Sequence, residues 1–129
     1  MLANQNFDLT DLEALVVGIM GGRGYLPLGP FAERHGSFQI TFHALSRNLH
    51  RYVILAISDL LHGDVLALDI WVGAESDGRS ARTAVVRIPV DSDMKSSSAW
   101  RKPLKQAIES AAKIAESYSA NDLSAANVA

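Results

Sequence analysis

The chain of 129 residues contains no cysteine, which excludes disulfides, thiolate catalysis and cysteine-ligated zinc. An excess of positive charge is missing as well. Lys and Arg number 12 against 14 Asp and Glu, a formal net charge of -2, whereas a sequence-general nucleic-acid binder draws its affinity from a basic surface. Nucleic acid is therefore not the expected partner. The longest apolar run, Tyr52 to Ile57, is far shorter than the roughly 20 residues of a membrane-spanning helix. Residues 1–7 have neither the basic flank nor the apolar centre of a secretory signal. These absences lead to the expectation of a soluble, cytoplasmic protein without a membrane partner.

Reaction signatures are also lacking. No Gly-x-Ser-x-Gly elbow occurs. The glycines from Gly18 to Gly24 follow a helical pattern and carry no Lys-Ser or Lys-Thr pair, so they do not make a phosphate loop. His35, His43, His50 and His62 fall at no recognised ligand spacing, although His43 and His50 would face each other if the segments bearing them pair as a hairpin. Asp59 and Asp64 suit turns, and Asp69 has a prospective ionic partner in Arg87. Ser96 to Ser98 read as linker and helix cap. Arg101, Lys102 and Lys105 read as a solvated helix face rather than an anion site. No catalytic residue, metal ligand or cofactor is expected, and the pattern points away from an enzyme.

What the chain does contain is 48% apolar residues, enough for one core. A single domain is expected over 1–118, with the small, polar stretch 119–129 a disordered tail. Thr10 and Glu13 form a capping-box pattern ahead of Leu12, Leu15, Val16, Ile19 and Met20, which predicts a helix over Asp11–Met20 stopped by Gly21 and Gly22. Glycines and prolines then break up 21–36, where Tyr25, Leu26, Leu28 and Phe31 predict a packed loop.

Phe38, Ile40, Phe42 and Ala44 alternate with polar residues as in a half-buried strand. The run 49–62 fits either a helix, capped by Asn48 and stopped by Gly63, or a strand. The β-branched and aromatic content of 52–57 favours a strand over His50–Ser58. Residues 65–73 and 82–90 predict a hairpin whose register follows from side-chain facing. A loop centred on Gly78 opposes Leu66, Leu68, Ile70 and Val72 to Val90, Ile88, Val86 and Ala84, and pairs Asp69 with Arg87 and Trp71 with Val85. An odd loop or a bulge is required. Beyond the polar linker 91–98, Trp100, Leu104, Ala107, Ile108, Ala111, Ile114, Ala115 and Tyr118 mark an amphipathic helix that starts between Ala99 and Lys102 and accommodates Pro103 in its first turn.

The expected fold is α+β: an N-terminal helix, a four-stranded antiparallel meander and a C-terminal helix, with both helices on one sheet face. The other face would then show Trp71, Val85, Tyr52 and Ile54, or Val53, Leu55 and Ile57 in the opposite pleat. Its rim would be Gln39, Thr41, His43, Asp69, Thr83 and Arg87. A rimmed apolar patch marks an interface. The expected function is a non-enzymatic interaction module, of adaptor, chaperone-like or inhibitor type, binding a protein partner or a second copy through Trp71, Val85, Tyr52, Ile54, Asp69, Arg87 and His43. Two alternatives turn on the loop 21–36. It could fold over the patch, or it could form a small-ligand or enzyme pocket against the sheet using Arg23, Tyr25, Arg34 and His35.

Overall fold

The computed structural model describes residues 9–34, 37–58, 66–90 and 101–125. Helix α1 (Leu9–Gly21) is followed by two short strands, β1 (Leu26–Pro27) and β2 (Ala32–Arg34). The long strands β3 (Ser37–Ser46), β4 (Leu49–Ser58), β5 (Leu66–Ser76) and β6 (Arg79–Val90) come next, then helix α2 (Arg101–Ser117), a 3-10 turn (Ala120–Asp122) and the two-residue β7 (Ser124–Ala125). The run 49–58 is thus a strand, and the helical alternative for it is overturned. Every strand pairing is antiparallel, in the order β1-β3-β4-β5-β6-β7 with β2 also on β3. The four-stranded meander was therefore too small an expectation, because short segments from the loop and the tail extend both edges. The predicted linker 91–98, with Ser96 to Ser98, and His62, Asp59 and Asp64 lie outside the described residues.

Buried Leu12, Val16 and Met20 of α1 and Leu104, Ile108, Ala111, Ala112 and Ala115 of α2 join Ile40, Phe42, Val53, Leu55, Ile57, Leu68, Ile70 and Val72 in one core cluster. One pleat face of the sheet and the apolar stripes of both helices make that core. Asp11 in the first turn of α1 pairs with Arg101 at the start of α2, and Arg23 beyond the end of α1 pairs with Glu116 at the end of α2. The helices therefore run side by side in one direction. The basic cluster at the start of α2 is not wholly solvated, since Arg101 is spent on this tie.

Helix α1 already includes Leu9, so Thr10 lies inside it and is not its N-cap. Its stop was also misplaced at Gly21 and Gly22. The left-handed residue is Gly24, with φ +88°. The Tyr25 N–H donates to the Met20 carbonyl at 2.9 Å, and the Gly24 N–H donates to Gly21 at 3.1 Å. This is a Schellman ending, in which the residue after the glycine packs back on the last turn; Tyr25 and Met20 are both buried in the core. Substituting Gly24 by Ala forces a Cβ into left-handed backbone, and chemical denaturation is expected to show a loss of about 1–2 kcal/mol. An unchanged midpoint would contradict this ending.

The β3–β4 hairpin turns through Arg47 and Asn48 with φ 53° and 65°, and the β5–β6 hairpin turns through Asp77 and Gly78 with φ 53° and 77°. Both are two-residue turns with positive φ at each central position, the twist that suits a hairpin. The β5–β6 ladder holds Leu66–Val90, Leu68–Ile88, Asp69–Arg87 and Ile70–Val86 as expected. It then shifts between Ile70 and Trp71, so that Trp71 faces Ala84 and Val72 faces Thr83. Val85 is the extra residue. The required bulge is present, but it overturns the pairings Trp71–Val85 and Val72–Ala84. A two-residue turn and an inward Ile70 are both retained only if one residue of β6 is left without a partner.

The tail was expected to be disordered from residue 119. Through residue 125 it is instead held in place. Leu123 is buried against Leu49 and Ala74, its carbonyl accepts from Arg79 Nη2 at 2.9 Å, and β7 pairs with Arg79 and Ser80. One apolar residue in a polar stretch, with a matching donor on β6, overrides the composition.

Candidate functional site

Side chains alternate across the pleat, so the residues between the core positions of the long strands point away from both helices. Cross-strand rows on this second face run Gln39–Ala56–Asp69–Arg87, then Thr41–Ile54–Trp71–Ala84, then His43–Tyr52–Gly73–Arg82. Among the described residues both helices pack against the opposite face. Of the two pleats open to the sequence, the one with Tyr52 and Ile54 outward is observed, and Val53, Leu55 and Ile57 are core.

The face is organised by polar contacts around its apolar centre. Arg87 Nε and Nη2 donate to the two Asp69 carboxylate oxygens at 2.7 and 3.1 Å, the predicted cross-strand pair in bidentate form. The Arg82 guanidinium lies 4.9 Å from the Trp71 ring centroid, within cation–π range. Tyr52 donates to Glu75 Oε1 at 3.0 Å. His43 Nε2 and His50 Nδ1 are 2.9 Å apart with stacked rings, so the two histidines do meet across the hairpin. Among the described residues no three metal-type side chains converge.

Two of the expected face residues move to the other side. Val85 at the bulge packs against the core cluster, although it also helps to line a hollow beside Trp71. Thr83 faces the core side, opposite Val72, and its hydroxyl hydrogen-bonds the Tyr118 hydroxyl. Both displacements follow from the bulge, which reverses the facing of β6 between Ala84 and the turn.

The loop does not fold over the face. Leu26 and Pro27 pair with His43 and Phe42, the Leu28 N–H donates to the Thr41 carbonyl at 2.9 Å, and 32–34 pair with 37–39. The segment is one interrupted edge strand alongside β3. Leu26 opposite His43, Leu28 beside Thr41 and Leu45 on the same pleat are 70%, 63% and 63% exposed. They widen the apolar surface beyond Ile54 and Trp71, and sequence reading missed them because it left the loop without a facing.

Relief on this face comes from Gly73. A Cβ there would stand 3.0 Å from the Ala81 carbonyl oxygen, so the strand approach tolerates only glycine without movement. The missing side chain opens a hollow of about 240 Å³ between Tyr52, Ile54 and Arg82.

A larger cleft, of about 540 Å³, lies elsewhere, where the Gly22–Tyr25 turn meets Ala44 to Ser46, Arg51 and Glu116. This is the junction of glycine-rich loop and sheet named as the alternative pocket. Arg23 and Tyr25 are there, Arg34 pairs with Ser37 at the other end of β3, and His35 lies outside the described residues. Arg51, 1% exposed, is the element that sequence reading missed altogether. Its Nη1 donates to the carbonyls of Ala115 and Tyr118 at 2.7 and 2.9 Å, and its Nε donates to Ser46 Oγ at 2.9 Å. A buried cation thus caps the end of α2, where free carbonyls and the helix dipole favour positive charge. Its parity with Val53 and Leu55 already assigned it to the core side. Ala44 and Ala74, its neighbours on the flanking strands, leave it room.

The chain matches no protein-family model, no curated protein and no solved structure.

Proposed function

We propose that the protein is a non-enzymatic recognition module, an adaptor, chaperone-like or inhibitor subunit that binds another protein or a second copy of itself through the sheet face opposite the helices. The observation that carries this reading is the run of apolar side chains on a face that neither helix covers. Leu28 and Ile54 lead to Trp71, with Leu26 and Leu45 alongside, bordered by Asp69–Arg87 and by His43 and His50. Apolar centre and polar border are the anatomy of a protein interface. The hollow above Gly73 suits an anchoring side chain from the partner. Cytoplasmic action belongs to this reading, and the lack of cysteine is compatible with it; no described helix is long and apolar enough to cross a membrane.

Trp71→Arg tests the reading. Trp71 lies outside the core cluster, so the variant is expected to fold, with a stability change below about 1 kcal/mol. Self-association or partner binding is expected to weaken by about 2 kcal/mol or more, because an aromatic anchor is lost. Thermal melts alongside light scattering over a concentration series and partner capture with both proteins decide it. An unfolded variant assigns Trp71 to the core, and unchanged association removes the main residue of the interface.

A further inference from the structure

The 540 Å³ cleft is lined by the guanidinium groups of Arg23 and Arg51 and by the hydroxyl-bearing side chain of Tyr25. Arg51 spends its guanidinium on Ser46, Ala115 and Tyr118, Arg47 donates to the Glu116 carbonyl, and Arg23 Nη2 donates to Glu116 Oε1 at 3.3 Å. Two buried donors lining the same cleft remain without a partner among the described residues: the Tyr25 hydroxyl and Arg23 Nε. Tyr25 is 1% exposed. An unpartnered buried polar group costs about 1–3 kcal/mol, and two on residues that line one cleft point to an acceptor there.

Charge gives the acceptor's sign. Arg23 and Arg51 line the cleft and Arg47, outside its lining, reaches the Glu116 carbonyl, so that three guanidinium groups are set against the one carboxylate of Glu116. The ends of α1 and α2 both converge here and add roughly half a negative charge each. The remainder is about one positive charge. Gly22 and Gly24 present no side chain and leave backbone accessible, while Ala44 and Leu45 supply an apolar wall. Burial foremost, and then Glu116, push the Tyr25 pKa up to about 12, so its hydroxyl keeps its proton and acts as a donor at neutral pH.

We propose that this cleft binds the carboxylate of a small organic acid or of a peptide C-terminus, one oxygen accepting from the Tyr25 hydroxyl and Arg23 Nε and the apolar body lying against Ala44 and Leu45. The cleft shares Leu45 with the margin of the sheet face opposite the helices, but its donors, Tyr25 and Arg23, take no part in the recognition role of that face.

The test follows the Arg23 Nε–H and backbone amide resonances during titration with butyrate, its neutral amide butyramide, and N-acetyl-leucine as a mimic of a peptide C-terminus. Saturable shifts at Arg23 and Tyr25 with the two carboxylates, and none with butyramide, are expected. The tighter of the two identifies the source, free acid or chain end. Tyr25→Phe removes only the hydroxyl and is expected to fold with equal or higher thermal stability while weakening carboxylate binding at least tenfold. Arg23→Gln, checked for folding by its spectrum, is expected to do the same. Equal binding of butyramide, absence of any saturable shift, or unchanged affinity in Tyr25→Phe would each overturn the assignment.

Discussion

Replacing Arg51 by Ala is expected to lower the unfolding free energy by about 3–5 kcal/mol, the scale of a large buried side chain lost together with the hydrogen bonds it made. Three effects add. The Ala115 and Tyr118 carbonyls lose their donors inside the protein, Ser46 loses its partner, and a cavity opens between Ala44 and Ala74. Arg51→Lys keeps the charge but replaces a planar fork by a single ammonium that cannot serve the same spread of acceptors. It is expected to recover only part of the loss. Urea unfolding followed by circular dichroism measures both, and a loss below about 1 kcal/mol for Arg51→Ala would mean that the end of α2 is capped by other means.

Phe42→Ala is expected to cost about 3–5 kcal/mol, whereas Ile54→Ala on the other pleat is expected to cost about 1 kcal/mol or less. Both delete a large apolar side chain from a central part of the sheet. Only Phe42 is fully enclosed, with α1, α2 and the inner pleat around it. The contrast reports which face is covered in solution. Equal losses in dilute protein would show that Ile54 is as enclosed as Phe42, and a penalty for Ile54→Ala that grows with protein concentration would show that a second copy supplies the cover.

Much of this architecture was legible because period and parity are properties of sequence. Phe38 to Ala44 alternate, and the strand preference of 52–57 decided correctly against the helical spacing of the same run. The facing argument for Leu68, Ile70, Asp69 and Arg87 gave the outer half of the β5–β6 ladder and the need for a bulge. It did not give the bulge's position, because shifting the extra residue along β6 changes which of Thr83, Ala84 and Val85 faces outward while conserving every pair beyond it. The edge strands were illegible for a different reason. Leu26, Pro27 and 32–34 gain their order from the β3 edge, and two or three residues carry no periodicity of their own. The cleft was hidden because it depends on tertiary approach. Arg51 and Glu116 are brought together with the turn after α1 only when the helices lie side by side, and the exception to the apolar pattern at Arg51 passes for an exposed strand residue unless its parity is followed.

The unequal arms of the β5–β6 hairpin bear on how this chain can vary. Between the Asp77–Gly78 turn and the Ile70–Val86 pair, six residues of β5 (71–76) lie against seven of β6 (79–85). If the present residues paired without the bulge, keeping the turn would slide Arg87 from Asp69 to Leu68 and turn the whole outer half of the ladder inside out. The hairpin is therefore governed by arithmetic as much as by chemistry. One residue added to the shorter arm or removed from the longer one would dispense with the bulge and keep the outer pairs, whereas one added to the longer arm would widen the mismatch; most exchanges of one side chain for another leave the count, and so the facing of the sheet, untouched.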